Sequence, residues 1–384
     1  METSHILNFI RTTFMDADGF IPLHAPFFGG REKEYVTDTI DSTFVSSVGA
    51  YVTRFEEMMA EITGARYAIA TVNGTTALHL ALVITGVKYG DEVITQPLTF
   101  VATANAISHA GGIPVFVDVD RDTMGLSPAA LQAFLEEHAV VTGNGQCMNK
   151  TTGRRIAACI PMHAFGFPVR IKEIAAICAK YHITLIEDAA ESLGSYVDGV
   201  HTGVFGNVGI FSFNGNKTVT CGGGGAIVTN DEALAKKAKH LSTTAKVAHP
   251  YEFVHDDVAY NYRMPNLNAA LACAQLEQLK DMLANKRELA ALYADFFKGS
   301  AVKFVTEMPG TTANYWLNTV LFADRDQQQA FLTESNNSKV MTRPIWRLMN
   351  KLPMYAGCQH GDLSNAEWLE ERVVNIPSSV RKML

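Results

Sequence analysis

From Tyr67 to Thr229 the chain alternates short apolar runs with segments of helical period, and this alternation constrains the fold more than any other feature. The apolar runs that read as strands fall at 67–72, 92–97, 113–120, 155–163, 183–188, 208–213 and 225–229. Helical-period segments lie between them at 75–86, 100–111, 127–139 and 170–182, with one more at 231–242. Such alternation specifies a mainly parallel sheet covered by helices on both faces. The expected core is therefore an α/β sheet of seven strands. Only the Lys217 segment and a run of glycines separate the last two strands, so one of them is free to run antiparallel.

Ahead of the sheet, 31–44 and 53–64 read as two helices. After Asn261 the character changes. A helical pattern from 266 to about 297 leads to a strand-like 315–322, a helix near 326–334 and an irregular tail, while 143–153 reads as an exposed loop. At 384 residues the chain exceeds one ordinary core. We read a large domain over 1–255, including the N-terminal helices, and a smaller C-terminal α+β domain over 256–384, hinged by the long helix.

Composition narrows the function classes. With 32 basic against 39 acidic residues, a net charge of −7 and no basic block, nucleic acid is not an expected partner. The six cysteines form no C-x-x-C pair, which argues against a disulfide framework and a structural zinc, and no metal is expected. The first residues lack a continuous apolar run, and no segment approaches the ~20 apolar residues that cross a bilayer. We therefore expect a cytoplasmic protein with no membrane span.

Four separated features carry the chemistry. Lys217 ends the run Ser212–Lys217 and is followed by Thr218-Val219-Thr220-Cys221 and then four glycines, Gly222 to Gly225. Most lysines are plain surface charges. A glycine run, however, is seldom kept unless the backbone turns sharply or approaches something closely. A lysine held there can form a Schiff base with a planar carbonyl cofactor such as pyridoxal phosphate. Asp188 ends an apolar strand, at the edge where α/β sheets bind ligands, and could face a pyridine nitrogen or simply cap the next helix. The run Asn73-Gly74-Thr75-Thr76 opens a helix and offers N–H groups and hydroxyls to a phosphate, or a plain threonine cap. Phe100 follows a strand and could stack on a flat ring or pack into the core.

Taken together, these segments and the run Tyr260–Met264 resemble the fold-type I pyridoxal phosphate enzymes, and more closely the DegT-type nucleotide-sugar aminotransferases. The resemblance runs from about Pro22 to Gln275, in the family's order. It implies that Lys217 holds the cofactor covalently, that Asp188 pairs with the ring nitrogen and that Phe100 stacks on the ring. It implies that Gly74, Thr75, Thr76 and Ser212 surround the phosphate. Asn261 would reach the phosphate of a neighbouring subunit, which makes the protein a homodimer with shared active sites. Glu191 stands where a glutamine often meets the cofactor's phenolic oxygen, a departure that reads as a subgroup mark.

The tetraglycine, Phe44–Gly49 and Thr342–Trp346 look like the group that aminates UDP-linked 4-keto-6-deoxy-N-acetylhexoses, the LegC type. On that resemblance Ser46, Ser47, Arg343 and Trp346 contribute to the nucleotide-sugar site, with ordinary packing and a surface charge as alternatives for Trp346 and Arg343. The implied reaction moves an amino group from L-glutamate, released as 2-oxoglutarate, to C4 of the keto sugar, for surface glycan biosynthesis. GDP- or TDP-linked sugars are the alternative substrates. A pyridoxal phosphate-dependent sugar dehydratase and a non-catalytic regulatory protein are the competing classes; Lys217 argues against the dehydratases that replace the lysine by histidine. His163 ends a strand at the ligand edge and is left without a role.

Overall fold

The computed structural model describes residues 2–381. Helices α1 (Thr3–Phe14), α2 (Glu32–Asp41) and α3 (Ala50–Thr63) come first. Strands and helices then alternate through β1 (Tyr67–Thr71), α4 (Gly74–Ile84), β2 (Glu92–Thr95), α5 (Val101–His109), β3 (Ile113–Phe116) and α6 (Pro128–His138). A hairpin of β4 (Ala139–Val141) and β5 (Cys147–Asn149) precedes β6 (Ile156–Ile160), α7 (Ile171–Lys180) and β7 (Thr184–Asp188). The short pair β8 (Tyr196–Val197) and β9 (Val200–His201) leads to β10 (Val208–Ser212), β11 (Gly225–Thr229) and α8 (Glu232–Ser242). The remainder holds α9 (Asn266–Leu276), α10 (Leu279–Phe297), β12 (Lys303–Phe304), β13 (Thr311–Thr312), β14 (Asn318–Leu321), α11 (Arg325–Asn337), β15 (Arg343–Pro344), α12 (Ser364–Glu370) and β16 (Val373–Ile376).

Seven strands form one sheet in the order β1-β11-β10-β7-β6-β2-β3. Strands β10, β7, β6, β2 and β3 run parallel, and β11 runs antiparallel to both β10 and β1. The expected α/β sheet is thus present, with its reversal at the strand after the glycine run, where no helix carries the chain across. Both faces are buried, as helix-covered parallel sheets require. Ile186, Ile210 and Ile227 pack with Leu78, Leu80 and Leu82 of α4 on one side, and Phe211, Phe213 and Val228 pack with Phe55 and Met59 of α3 on the other. Local chemistry fixes where the covering helices start. The Asn73 side chain accepts from Thr76 N at 2.9 Å to cap α4, and Ser127 caps α6 just before Pro128.

The structure departs from the sequence reading at four places. The N-terminal segment contains a helix, α1, whose Ile6, Leu7 and Ile10 pack with Tyr293, Phe331 and Val374. It therefore packs against residues of the C-terminal part of the chain. The pattern at 266–297 is two helices, and α9 inserts Ala269, Ala270 and Cys273 among Phe55, Met59 and Phe213. The tail is not irregular: β16 is an inner strand of a second sheet ordered β12-β14-β16-β15, with α12 ahead of it. The expected loop at 143–153 holds one arm of the β4–β5 hairpin, which Asn149 ties to the main sheet through Glu92 Oε2 at 2.7 Å.

Candidate active site

The C-terminal ends of β7 and β10 and the first turn of α4 surround a cavity of about 370 Å³. This is the edge where parallel α/β sheets place ligands, because loops diverge there and helix N-termini point in. Gly74, Thr75, Phe100, Asp188, Glu191, Ser212, Lys217 and Trp346, all named from the sequence, line it.

Lys217 stands just beyond β10, on a turn closed by its own N–H donating to Asn214 O at 3.0 Å. Its Nζ donates to Glu191 Oε1 at 3.1 Å and lies 3.9 Å from the centre of the Trp316 ring. Glu191 is buried, and its Oε2 accepts from Phe165 N at 2.8 Å. Burial pushes this carboxyl up to about 7, against the opposing pull of the Lys217 charge and the Phe165 N–H. Asp188 ends β7 and is buried as well. Its Oδ2 accepts from Thr103 Oγ1 at 2.7 Å and its Oδ1 from Ala190 N at 3.2 Å, so it caps no α-helix. Desolvation raises its pKa above the usual carboxylate range, while Thr103, Ala190 N–H and Lys217 work the other way. A cation brought to Asp188 would relieve that burial cost.

The first turn of α4 supplies an anion cradle. The Asn73 cap uses the Thr76 N–H, and the N–H groups of Gly74 and Thr75 belong to the first turn, where no helical acceptor exists. A β-carbon on Gly74 would lie 2.8 Å from Ser212 Cβ, so glycine keeps this wall open. Thr76 turns back, donating Oγ1–H to Asn73 O at 2.9 Å, and does not line the cavity. Phe100 is 50% exposed and lines the cavity instead of the core. At Gly225 the glycine run serves a close backbone approach, as read in the sequence. A β-carbon on Gly225 would sit 2.4 Å from Asn73 O, so the run lets β11 press against the loop that opens α4 and does not itself line the cavity.

These residues fit pyridoxal phosphate. An amine, a buried carboxylate, an aromatic face and a helix N-terminus with two hydroxyls meet in one cavity.

Other candidates are placed elsewhere. The Asn261 side chain accepts from Arg263 Nε at 2.9 Å on the surface, away from the cavity of its own chain. Ser46 and Ser47 lie in the exposed loop before α3, where Ser46 O receives Asn266 N. Arg343 is exposed on β15 and donates to Asn336 Oδ1 at 3.1 Å. Trp346 lines the cavity with its ring stacked on Phe165, centroids 4.7 Å apart. His163 is fully buried behind the site: its Nδ1 accepts from Val169 N, so Nε2 carries the proton donated to Glu187 Oε2 at 3.1 Å. Sequence reasoning missed Thr103 and Trp316. Thr103 stood in the Phe100 segment, three residues on; nothing in the sequence around Trp316 pointed to Lys217.

Comparison with known proteins agrees with this geometry. The DegT/DnrJ/EryC1/StrS aminotransferase family matches residues 28–382, well beyond the 22–275 stretch on which the resemblance was read. The chain is 36% identical to the GDP-perosamine synthase of Escherichia coli O157:H7, over 94% of this chain and 93% of that protein. It is 34% identical to the GDP-perosamine synthase of Vibrio cholerae, over 93% and 94%. The crystal structure of a DegT DnrJ EryC1 StrS aminotransferase from Brucella abortus superposes with a TM-score of 0.81 at 28% identity, over 91% of this chain and 90% of that one.

Proposed function

The chain belongs to the DegT/DnrJ/EryC1/StrS aminotransferase family, and from that premise we propose that it moves an amino group from L-glutamate to C4 of a GDP-linked 4-keto-6-deoxy sugar. Dependence on pyridoxal phosphate and the sugar-aminotransferase class come with the family. The sequence alone puts a UDP-linked acetamido sugar first. Relatives named for a GDP-linked amino sugar, similar over nearly the whole chain, support GDP instead.

The observation that carries the reading is the meeting of Lys217, Glu191 and Asp188 with the α4 N-terminus in one cavity. When bound, pyridoxal phosphate supplies an electron sink that makes the α-proton of an amino acid removable. Asp188 holds negative charge at the buried end of the cavity, suited to a protonated ring nitrogen. Gly74 and Thr75 N–H groups, with the Ser212 hydroxyl, receive a phosphate. Phe100 offers a ring face. The Lys217 amine takes a proton from the donor's carbon and returns one to the acceptor's, the general acid–base work its reach allows. Glu191 holds that amine at Oε1 between transfers. The sugar would enter past Trp346, with Ser46, Ser47 and Arg343 contributing from outside the cavity or from a second copy. Asn261 serves the neighbouring subunit's phosphate, so the working form is a homodimer. Reaction in the cytoplasm is part of the same proposal.

The test is a matched panel of GDP-, UDP- and TDP-linked 4-keto-6-deoxy sugars with glutamate, reading 2-oxoglutarate and the amino sugar. The GDP substrate should give the highest kcat/KM. A UDP-linked acetamido sugar preferred by about tenfold or more would overturn the nucleotide assignment, since a discrimination of that size reflects real pocket contacts.

A further inference from the structure

Trp316 reaches the cavity from the C-terminal part of the chain, two residues before β14. It is held at three points. Its N–H donates to Asn314 Oδ1 at 2.8 Å, and its carbonyl accepts from Lys286 Nζ at 3.2 Å. Its Nε1–H donates at 2.7 Å to the Asn216 carbonyl, which belongs to the peptide joining Asn216 to Lys217. Lys286 is itself without exposed surface on α10 and also donates to Ser378 O at 2.6 Å. The indole so fixed presents its face to Lys217 Nζ at 3.9 Å.

We propose that Trp316 is a positioning residue for Lys217: its ring is the shelf on which the amine rests, and its Nε1–H pins the peptide from which that side chain springs. A buried indole commonly finds a partner for its N–H, so the bond to Asn216 alone would fit a packing role. The ring and the N–H acting on the same lysine do not follow from packing. Lysine's four-carbon stem is flexible, and its compact charge lacks the geometric demand of a guanidinium. Glu191 alone fixes the amine's distance from one oxygen and leaves it free to swing around that oxygen. A π face under the ammonium closes off that motion. Asn314 and Lys286 set the tilt of the shelf, so the lysine's position is specified by residues remote from it in sequence.

The inference rests on the reading that Lys217 captures pyridoxal phosphate, and the test separates the two. Apoenzyme is mixed with pyridoxal phosphate, and the growth of Lys217-dependent visible absorbance is followed, with thermal melts of each variant alongside. Trp316→Phe keeps a π face without the donor; Trp316→Leu fills much of the volume without either. Capture should slow about threefold in Trp316→Phe and about tenfold or more in Trp316→Leu, as the amine loses its placement against the incoming carbonyl in two steps. Final absorbance should stay near wild type in both. Wild-type capture rates in Trp316→Leu, or equal rates in the two variants, would overturn the positioning role. If wild type and Lys217→Ala show the same spectrum, the cofactor reading itself fails, whatever Trp316 does.

Discussion

Two buried carboxyls set the electrostatics of the cavity, and each answers to a single substitution. Glu191 has an ordinary value of 4.5, raised by burial to about 7. A carboxyl whose pKa is raised on folding contributes fully below the unfolded value and loses that contribution as pH rises through the folded one. Above pH 7 the folded chain therefore keeps a carboxylate out of water that the unfolded chain leaves hydrated, at about 3 kcal/mol. The melting temperature of the apoenzyme should fall between about pH 4.5 and 7 more steeply in wild type than in Glu191→Gln, and the two curves should run level with each other above that range. Parallel curves for the two proteins within it would contradict the burial cost. Asp188→Asn retains shape and a partner for Thr103 while removing the charge. It should still capture pyridoxal phosphate on Lys217 but lose about a hundredfold or more in kcat, the usual worth of a correctly charged group at the reacting centre. Undiminished kcat would remove Asp188 from the mechanism. Lys217, Asp188 and Phe100 were legible in the sequence because each stands at a strand end, where the periodicity changes. Thr103 and Trp316 were not, because their partners Asp188 and Asn216 lie 85 and 100 residues away.

The junction between β1, α4 and β11 shows how backbone geometry sets the first turn of α4, the cradle proposed for a phosphate. Asn73 closes β1's loop, caps α4 and has its carbonyl 2.4 Å from where a Gly225 β-carbon would be. Backbone cannot yield as a flexible side chain can, so Gly225→Ala should cost about 1–3 kcal/mol of stability and shift the first turn of α4. Equilibrium dialysis should show weaker pyridoxal phosphate binding together with the lowered melting temperature. Lowered stability with unchanged affinity would mean that the cradle does not depend on this contact. The sequence announced the glycines and the helix start separately; only the fold shows that they touch. The main sheet was readable because its strands are continuous apolar runs. The second sheet was not, since β12 and β15 have two residues each and no period. The break between α9 and α10 was equally hidden. Glu277 and Gln278 both keep right-handed helical backbone, and no glycine or proline marks the change.

Among the apolar side chains that the chain leaves exposed, several gather on one segment. Tyr251 and Phe253 are each 80% exposed and Val258 is 88% exposed, all in the segment that leads to Asn261. Scattered exposed apolar residues are ordinary, but a cluster on one segment marks a contact surface. Asn261 lies at the end of that segment and away from its own cavity, which is the arrangement a shared active site requires. A symmetric dimer would bring each copy's segment to the other's cavity. Subunit mixing tests this directly. Lys217→Ala removes the reacting amine, and Asn261→Asp places a carboxylate where the proposal has a phosphate. Each homodimer should be inactive or nearly so. If a site takes its lysine from one copy and its Asn261 from the other, a mixed dimer carries both defects in one site and neither in the other. Random mixing of equal amounts should then restore about a quarter of wild-type sites, as two-fold symmetry dictates. If native mass spectrometry shows mixed dimers and activity does not return, the two residues do not belong to sites shared in this way, and Asn261 loses its place beside the partner's phosphate.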